Sequence, residues 1–305
     1  MSNKNTPYDD SFRTLLTDCK RLVIPLVNEL FHTEYNYLSE DVQVYHNEHF
    51  VTEGDDQERI TDSNFSIGKN KDRFHIECQT SYDGTIVVRI FEYSTQIAKS
   101  DFNSNDNTFE FTIPRSGVLC LRNNNQSPSC YIVKLKTPGG TVSYEIPTIQ
   151  MRDYSIGGLL DKKLFFLIPF YFFNYPLEKM DNDNGIEEMI SQYQNLWKTL
   201  DDYVENGLIS AYERASIKAM CNKVAESLTK NYPHILKGVE KVMGGAILEY
   251  EAKKIYTEGE AEGETRKLYK LVQKGTLSVS DAAKDMGVPE DIFVEKMKAF
   301  LNLPK

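Results

Sequence analysis

The chain has 305 residues, of which 40% are hydrophobic and 26% are charged, and its formal net charge at pH 7 is −10. A chain of this length and composition can bury one large core or two modest ones, as soluble globular proteins do. The negative charge excludes a protein that coats nucleic acid through bulk charge. Any contact with nucleic acid must therefore come from a local basic patch or from metal ions.

Two features of the sequence bear on the cellular compartment. Five cysteines are scattered without a C-x-x-C pair, which favours reduced thiols in a cytoplasmic protein over a disulfide framework or a zinc site. The first five residues lack the apolar region of an export signal. The most apolar window, 164–173, contains Pro169 and is shorter than the roughly 20 residues of a membrane-spanning helix. We therefore expect a cytoplasmic protein without a membrane segment and interpret this window as core.

Apolar residues at helical spacing run from Phe12 to Phe31 and predict an amphipathic helix near the N-terminus. Pro25 is expected to divide or kink this helix, because proline in a helix interior removes a hydrogen bond and clashes with the preceding turn. Asp9 and Asp10 lie at its start, where the commoner role of an aspartate such as Asp10 is that of an N-cap.

Two alternating stretches, 59–67 and 74–80, predict an antiparallel hairpin whose polar turn spans 68–72. In the second strand, apolar residues alternate with polar ones, so one face is expected to pack against a core. The residues of the opposite, polar face are His75, Glu77 and Gln79. Asp62 is expected on the polar side of the first strand. The hairpin therefore carries an aspartate together with an E-x-Q pair.

The rest of the chain falls into a mixed part and a helical part. A helix is predicted over 85–99, so the order of elements becomes helix, strand, strand, helix, which is typical of an α+β core. Short strands are predicted between 109 and 146, with Pro-Gly-Gly at 138–140 as a hairpin turn. From Ser155 onward the pattern is helical almost to the end of the chain.

Several of these stretches resemble a known family. They are Arg59-Ile60-Thr61-Asp62-Ser63, Phe74-His75-Ile76-Glu77-Cys78-Gln79-Thr80 and Arg89-Ile90-Phe91-Glu92-Tyr93. Together they resemble the PD-(D/E)XK nuclease superfamily, and within it the branch of bacterial recombination-promoting nucleases and transposase-like proteins. The opening Asp9-x-x-Phe12-Arg13 is similar to the D-x-x-F-K start of that branch. The resemblance spans most of the chain.

The resemblance implies a fold of the α+β class. Its core would be restriction-endonuclease-like, a small mixed sheet flanked by helices, and an all-helical C-terminal region would follow. We expect a nuclease-like domain at 1–175, a helical region at 176–258 and a small helix-turn-helix-like tail at 259–305. The tail lacks a basic recognition face and is interpreted as a protein-contact or vestigial module.

The resemblance also implies a metal site. Asp62 and Glu77 would be the carboxylates that bind Mg²⁺, with Mn²⁺ or Ca²⁺ as alternatives, and the Cys78 carbonyl would be a third ligand. Mg²⁺ takes oxygen ligands, and divalent ions held by carboxylates supply most of what phosphodiester hydrolysis needs. The usual lysine of the superfamily is Gln79 here, as is common in this branch. Gln79 can orient the attacking water or the phosphate but cannot act as a cationic base.

Further polar residues are candidates for the same site. Asp9 or Asp10 would add a carboxylate from the first helix. Contacts to the substrate phosphates are predicted from a polar helix stripe and from the basic hairpin turn, namely Arg89, Tyr93, Gln96, Lys69 and Lys71. A plain amphipathic helix and a solvated turn explain these five almost as well, and His75 is expected at the surface.

The sequence therefore predicts a cytoplasmic, Mg²⁺-dependent DNA endonuclease that hydrolyses phosphodiester bonds. We expect a homodimer through the helical C-terminal region, because two such cores facing each other can cut both strands. The resemblance implies a role in recombination, in mobile elements or in phage defence. The alternative is a catalytically silent binding or assembly protein that retains the nuclease fold, and Gln79 and the net negative charge favour it modestly.

Overall fold

The computed structural model describes most of the chain. The described residues are 6–45, 63–80, 84–100, 102–122, 127–181, 183–243, 265, 268–269, 271–273 and 275–301. The chain divides into two compact units, Met1–Gly245 and Ala246–Lys305. The first unit contains all the described strands together with helices from both sides of residue 175, and these helices share one core.

Eight strands are described in the first unit. They are β1 (Val42–Val44), β2 (Phe65–Ile67), β3 (Asp72–Gln79), β4 (Asn103–Asn105), β5 (Thr108–Glu110), β6 (Arg115–Cys120), β7 (Cys130–Thr137) and β8 (Gly140–Gln150). Six of them form a mixed sheet in the order β1-β2-β3-β6-β8-β7. The strands β3, β6 and β8 run parallel, whereas β2 is antiparallel to both of its neighbours and β7 is antiparallel to β8. The predicted antiparallel hairpin is confirmed at β2–β3, while residues 59–62 of its predicted first strand lie outside the described residues.

The described helices of the first unit surround this sheet. They are α1 (Pro7–Asp18), α2 (Val23–Phe31), α3 (Ile86–Ser100), α4 (Ile156–Asp161), α5 (Leu177–Met180), α6 (Asp183–Glu205), α7 (Ala211–Thr229) and α8 (Pro233–Met243). The mixed α and β class and the mostly helical C-terminal part of the chain are confirmed.

The N-terminal helix begins and ends for local reasons. Thr6 is the N-cap of α1, and it forms a reciprocal capping box with Asp9. Asp10 is therefore not the N-cap, because Pro7 already occupies the first helical position. The predicted division of the helix occurs at residues 19–22, upstream of Pro25. Pro25 itself lies in the first turn of α2, where a missing N–H group costs little.

Helices cover both faces of the sheet. On one face, Phe74, Ile76 and Cys78 of β3 join the large core that also contains residues of α1 and α2. On the other face, Val118 of β6 packs with Ile90 of α3. A strand that is covered on both faces buries its polar side chains as well as its apolar ones. The sequence pattern did not reveal that α3 covers this second face of the sheet.

The connection from β3 through α3 to the parallel strand β6 fixes the position of the second layer. Parallel neighbours need a crossover of this kind, and the crossover helix packs back onto the two strands that it joins. On the opposite face, α2 comes very close to β6 at Gly117. A Cβ atom at this position would overlap Leu30 Cδ2 and would lie 3.2 Å from Phe31 Cζ. Gly117 therefore sets the spacing between α2 and the sheet.

The apolar window at 164–173 is buried, as predicted. It forms a 3₁₀-helical segment, Phe165–Asn174, in which Phe166 packs edge-on against Phe12 of α1 at 4.9 Å between ring centroids. Arg21, between α1 and α2, forms an ion pair with Glu213 of α7. The N-terminal helices are thus tied directly to the later helical region. Within the described part of the chain, no helix is long and apolar enough to cross a membrane.

The second unit has a small core of its own. Its described helices are α9 (Val279–Asp285) and α10 (Glu290–Leu301). Ser278 is the N-cap of α9 and accepts a hydrogen bond from the Asp281 N–H group. The buried residues of this unit are Tyr269, Ala282, Ala283 and Phe293. The described part of this unit is therefore mostly helical.

Replacement of Gly117 tests the close approach of α2 to the sheet. We expect Gly117→Ala to lower the free energy of unfolding by about 1–3 kcal/mol, the usual cost of overpacking a core. Gly84→Ala is the matched control, because nothing in the described structure lies within 4 Å of a Cβ atom there. It should change stability by less than about 0.5 kcal/mol. Urea denaturation measures both, and equal stabilities of the two variants would contradict the proposed packing.

Candidate functional site

The side chain of Glu77 lies in the layer between β3 and α3, where it is only 3% exposed. Its Oε1 is 2.9 Å from Nε2 of His75, two residues earlier on the same strand. Its Oε2 is 3.5 Å from Nε of Arg89, in the first turn of α3. A buried carboxylate must be paired to be tolerated. In this structure both of its oxygens have a polar neighbour.

Further polar groups continue this layer along α3. The ring of Tyr93, one turn beyond Arg89, meets the His75 ring edge-on at 5.8 Å between centroids. The hydroxyls of Ser94 and Ser116 are 2.9 Å apart, and Ser116 is the β6 partner of His75. The histidine is fully buried, so the expectation of a surface histidine is wrong. The reason is the helix that covers this face of the sheet.

At the end of β3, successive backbone groups form hydrogen bonds on opposite sides of the strand. The Gln79 carbonyl accepts a hydrogen bond from Leu121 N–H at 2.8 Å, beyond the end of β6. Because successive carbonyls of a strand point to opposite sides, the Cys78 carbonyl is directed toward the β2 side. The Ser63 hydroxyl lies on that same side and bonds to both the N–H and the carbonyl of Ile76, at 2.7 and 2.9 Å. Asp62, which precedes Ser63, lies outside the described residues.

These groups can be compared with the Mg²⁺ site that the resemblance implies. Glu77 offers carboxylate oxygens, Cys78 a carbonyl and Gln79 an amide on the same face as Glu77. All are hard oxygen donors of the kind that Mg²⁺ takes. The donor chemistry therefore fits. Among the described residues, which do not include Asp62, no group of three or more His, Cys, Asp or Glu side chains is close enough to hold a metal ion.

Some predicted phosphate-contact residues are not brought to Glu77. Lys69 and Lys71 lie in the turn before β3, about 20 Å from Glu77 along the strand at ~3.3 Å per residue. Gln96 is half-buried and lies two turns beyond Arg89, about 10 Å along the helix axis. Of the five predicted residues, the structure brings Arg89 to Glu77 and Tyr93 to His75.

The two aspartates of α1 have partners elsewhere. The Asp9 carboxylate accepts a hydrogen bond from the Thr6 N–H group at 3.0 Å, as part of the capping box. Asp10 forms an ion pair with Lys223 of α7. Both therefore hold local structure at the start of α1, and neither is in contact with Glu77 in the described structure.

Sequence reasoning missed or undervalued His75, Ser94 and Ser116 in this layer, and it missed Ser63 on the β2 side of β3. Alternation along β3 already puts His75 on the face of Glu77, and that was the available signal. Nothing in the local pattern marks Ser63 or Ser116, because their partners depend on how the strands pair. These contacts show that the Glu77 layer is a hydrogen-bonded interior.

Comparisons with protein-family models, with curated proteins and with solved structures found no match. The features that bear on function are therefore the layer around Glu77 and the resemblance of the motifs. Both lead to the same short stretch of β3.

A double-mutant cycle tests whether Arg89 stabilises the buried carboxylate. We expect Arg89→Ala to cost about 1–3 kcal/mol of unfolding free energy, because it leaves a buried acceptor with one partner fewer. In a Glu77→Gln background the same change should cost less, with a coupling of at least ~0.5 kcal/mol. Lys99→Ala, on the exposed part of α3, is the control and should have little effect. Equal costs in both backgrounds, measured by urea denaturation, would show that the two groups are not coupled.

Proposed function

We propose that the chain is a Mg²⁺-dependent DNA endonuclease that hydrolyses phosphodiester bonds, with Mn²⁺ or Ca²⁺ as alternative ions. The observation that carries the proposal is the end of β3, where Glu77 and Gln79 share one face with Arg89 above them. Acidic, amide and cationic groups that converge in this way suit an anionic substrate and a divalent cation. An isolated surface hairpin would not need such a cluster.

The order of elements around the site supports a restriction-endonuclease-like core. Helices precede an antiparallel β1–β2–β3 meander, and α3 then leads into the parallel strand β6. This is a mixed sheet flanked by helices, as the resemblance to the PD-(D/E)XK superfamily and its recombination-promoting branch implies. The described motif residues Glu77, Gln79 and Arg89 lie on β3 and α3, as an active centre on rigid structure requires.

Each residue of the proposed site has a role that its chemistry allows. Asp62 and Glu77 would hold the cation together with the Cys78 carbonyl, and the cation would supply charge neutralisation at the phosphate and at the leaving oxygen. Gln79 orients the attacking water or the phosphate through its amide. Arg89, whose side chain is 27% exposed, turns toward the phosphate, and Tyr93 supports His75 behind it.

The other parts of the sequence prediction remain parts of this proposal. A further acid from Asp9 or Asp10 would require it to leave its present partner. Lys69, Lys71 and Gln96 would contact DNA away from the scissile bond. The homodimer through the C-terminal helices, the cytoplasmic location and a role in recombination, mobile elements or phage defence rest on the sequence and on the resemblance.

Plasmid nicking tests the proposed activity. We expect wild-type protein to nick supercoiled DNA with Mg²⁺ and to stop when EDTA is added. Asp62→Asn and Glu77→Gln should each lower the rate by at least ~100-fold, because a metal ion contributes several kcal/mol to the transition state and about 1.4 kcal/mol is a factor of ten. Both changes keep the shape of the side chain.

The matched control for this experiment is Glu110→Gln, an exposed carboxylate on β5, which pairs with β4 in a two-stranded sheet separate from the sheet that contains β3. It should nick at the wild-type rate, which separates loss of a ligand from a general change in charge. Cleavage by the Asp62 and Glu77 variants at the wild-type rate would refute the assignment. So would a wild-type rate that does not change with EDTA.

One observation favours the alternative, a catalytically silent binding or assembly protein. Glu77 is already paired with both His75 and Arg89. These contacts can have a purely structural role, in which they join α3 to β3. Calorimetry distinguishes the two functions. The endonuclease proposal expects uptake of Mn²⁺ or Mg²⁺ that Glu77→Gln abolishes, while Glu110→Gln leaves it unchanged. No uptake by wild-type protein at millimolar ion would favour the silent protein.

A further inference from the structure

A cavity lies beside α1, in a part of the first unit that the candidate site does not use. A cavity of about 460 Å³ is enclosed by α1, by the chain around the end of the 3₁₀ segment and by α7. Its volume is within the range of small-molecule sites, about 300–1,000 Å³. We call it the Tyr8 cavity, and it is lined by Tyr8, Arg122, Phe173, Lys179, Asn231 and Tyr232, among others. Arg122, Lys179 and Asn231 are exposed, so the cavity opens to solvent.

The walls of the Tyr8 cavity combine rings with two cations, Arg122 and Lys179, and one carboxylate, Glu178. The rings of Tyr8 and Phe173 meet edge-on at 5.0 Å between centroids. The Arg122 guanidinium lies 5.5 Å from the centroid of the Phe173 ring. The aromatic wall thus already has a cation of the protein against it. A ligand with an aromatic ring and an anionic group would find a partner for each, the ring at Tyr8 and Phe173 and the anionic group at Arg122.

The position of Arg122 connects the Tyr8 cavity to the candidate site. Arg122 follows Leu121, whose N–H group binds the Gln79 carbonyl at 2.8 Å. Glu77 pairs with Val118, so Arg122 is four residues further along and about 13 Å away at ~3.3 Å per residue. The carboxyl ends of parallel strands are where open α/β sheets bind ligands. The Tyr8 cavity reaches this edge through Arg122, and Glu77 lies on β3, the strand next to β6.

A nucleotide has both an aromatic ring and an anionic group, which the walls of the cavity can bind. Bases stack on aromatic side chains whatever their sequence, and phosphates bind guanidinium and ammonium groups. A base inside a duplex is stacked and paired, so only an unpaired base can enter a cavity. We propose that the Tyr8 cavity binds an unpaired nucleotide of a DNA strand, with its base against Tyr8 and Phe173 and its phosphate on Arg122. This inference rests on the proposed function, and it assigns a substrate that is single-stranded or locally unpaired.

Fluorescence anisotropy tests this inference in EDTA, so that no cleavage is needed. The probes are a labelled 12-nucleotide single strand and the duplex of the same sequence, and the competitor is dAMP. We expect Tyr8→Leu to weaken single-strand binding by about 5- to 150-fold, since stacking contributes about 1–3 kcal/mol per base and 1.4 kcal/mol is tenfold. Arg122→Ala should weaken it by about tenfold or more, as a charged hydrogen bond is lost. Duplex binding should change less, and dAMP should compete with the single strand in wild-type protein only.

Two matched variants serve as controls. Phe109→Leu replaces an exposed ring on β5, and Lys136→Ala removes an exposed cation on β7. Both should bind the single strand within twofold of wild type. Arg122 is exposed, so we expect Arg122→Ala to fold. It therefore still tests the inference if Tyr8→Leu does not fold.

The outcomes separate this inference from the proposed function. Single-strand binding that is lost only in the cavity variants supports the inference, whether or not plasmid nicking is seen. No binding by wild-type protein at 100 µM (roughly the non-specific range), or binding by both cavity variants within twofold of wild type, would overturn it even if nicking occurs. Equal losses on single strand and duplex would also overturn it, because they would indicate general electrostatic contact.

Discussion

The buried carboxylate of Glu77 is the constraint on which the central part of this structure depends. A charge at 3% exposure is stable only beside compensating groups, and these come from two elements, His75 on β3 and Arg89 on α3. The pairing therefore fixes how the crossover helix sits on the strand before it. A shift of α3 by one turn would move Arg89 by about 5 Å and leave the carboxylate without its cation. The contacts that Glu77 makes in the candidate site are in this sense also contacts that hold the fold together.

Packing elsewhere in the first unit places β3 and α3 where this interaction can form. The close approach at Gly117 lets α2 cover one face of the sheet while α3 covers the other. The Arg21–Glu213 pair then ties the N-terminal helices to α7, and Glu213 also belongs to the capping box at the start of α7. The later helices are thus part of one core with the sheet. That core holds the carboxyl edge of the strands, with Gln79 and Arg122, in a fixed place.

Much of the fold followed from the sequence, for reasons that individual residues make clear. Alternation along β3 predicted which side chains share a face, because the period of a strand is two. The Pro-Gly-Gly turn predicted the β7–β8 hairpin, and the apolar 164–173 window predicted buried structure. The burial of His75 could not be read from alternation, since it depends on α3 packing over that face. Likewise, the role of Asp10 depends on Lys223, more than two hundred residues later, and no local pattern contains that information.

The same geometry explains how an acidic protein can be compatible with an anionic substrate. A net charge of −10 repels DNA at long range, but screening limits that repulsion to about a Debye length, roughly 8–10 Å. Within that distance the carboxyl edge presents Arg89 and Arg122, and each has an exposed fraction that a phosphate can reach. Arg89 contacts Glu77 at 3.5 Å, longer than a well-formed hydrogen bond, so a phosphate can compete for it. The contact between Glu77 and Arg89 is therefore weak enough for Arg89 to bind the phosphate of the proposed substrate instead, whereas the shorter contact with His75 keeps Glu77 in place.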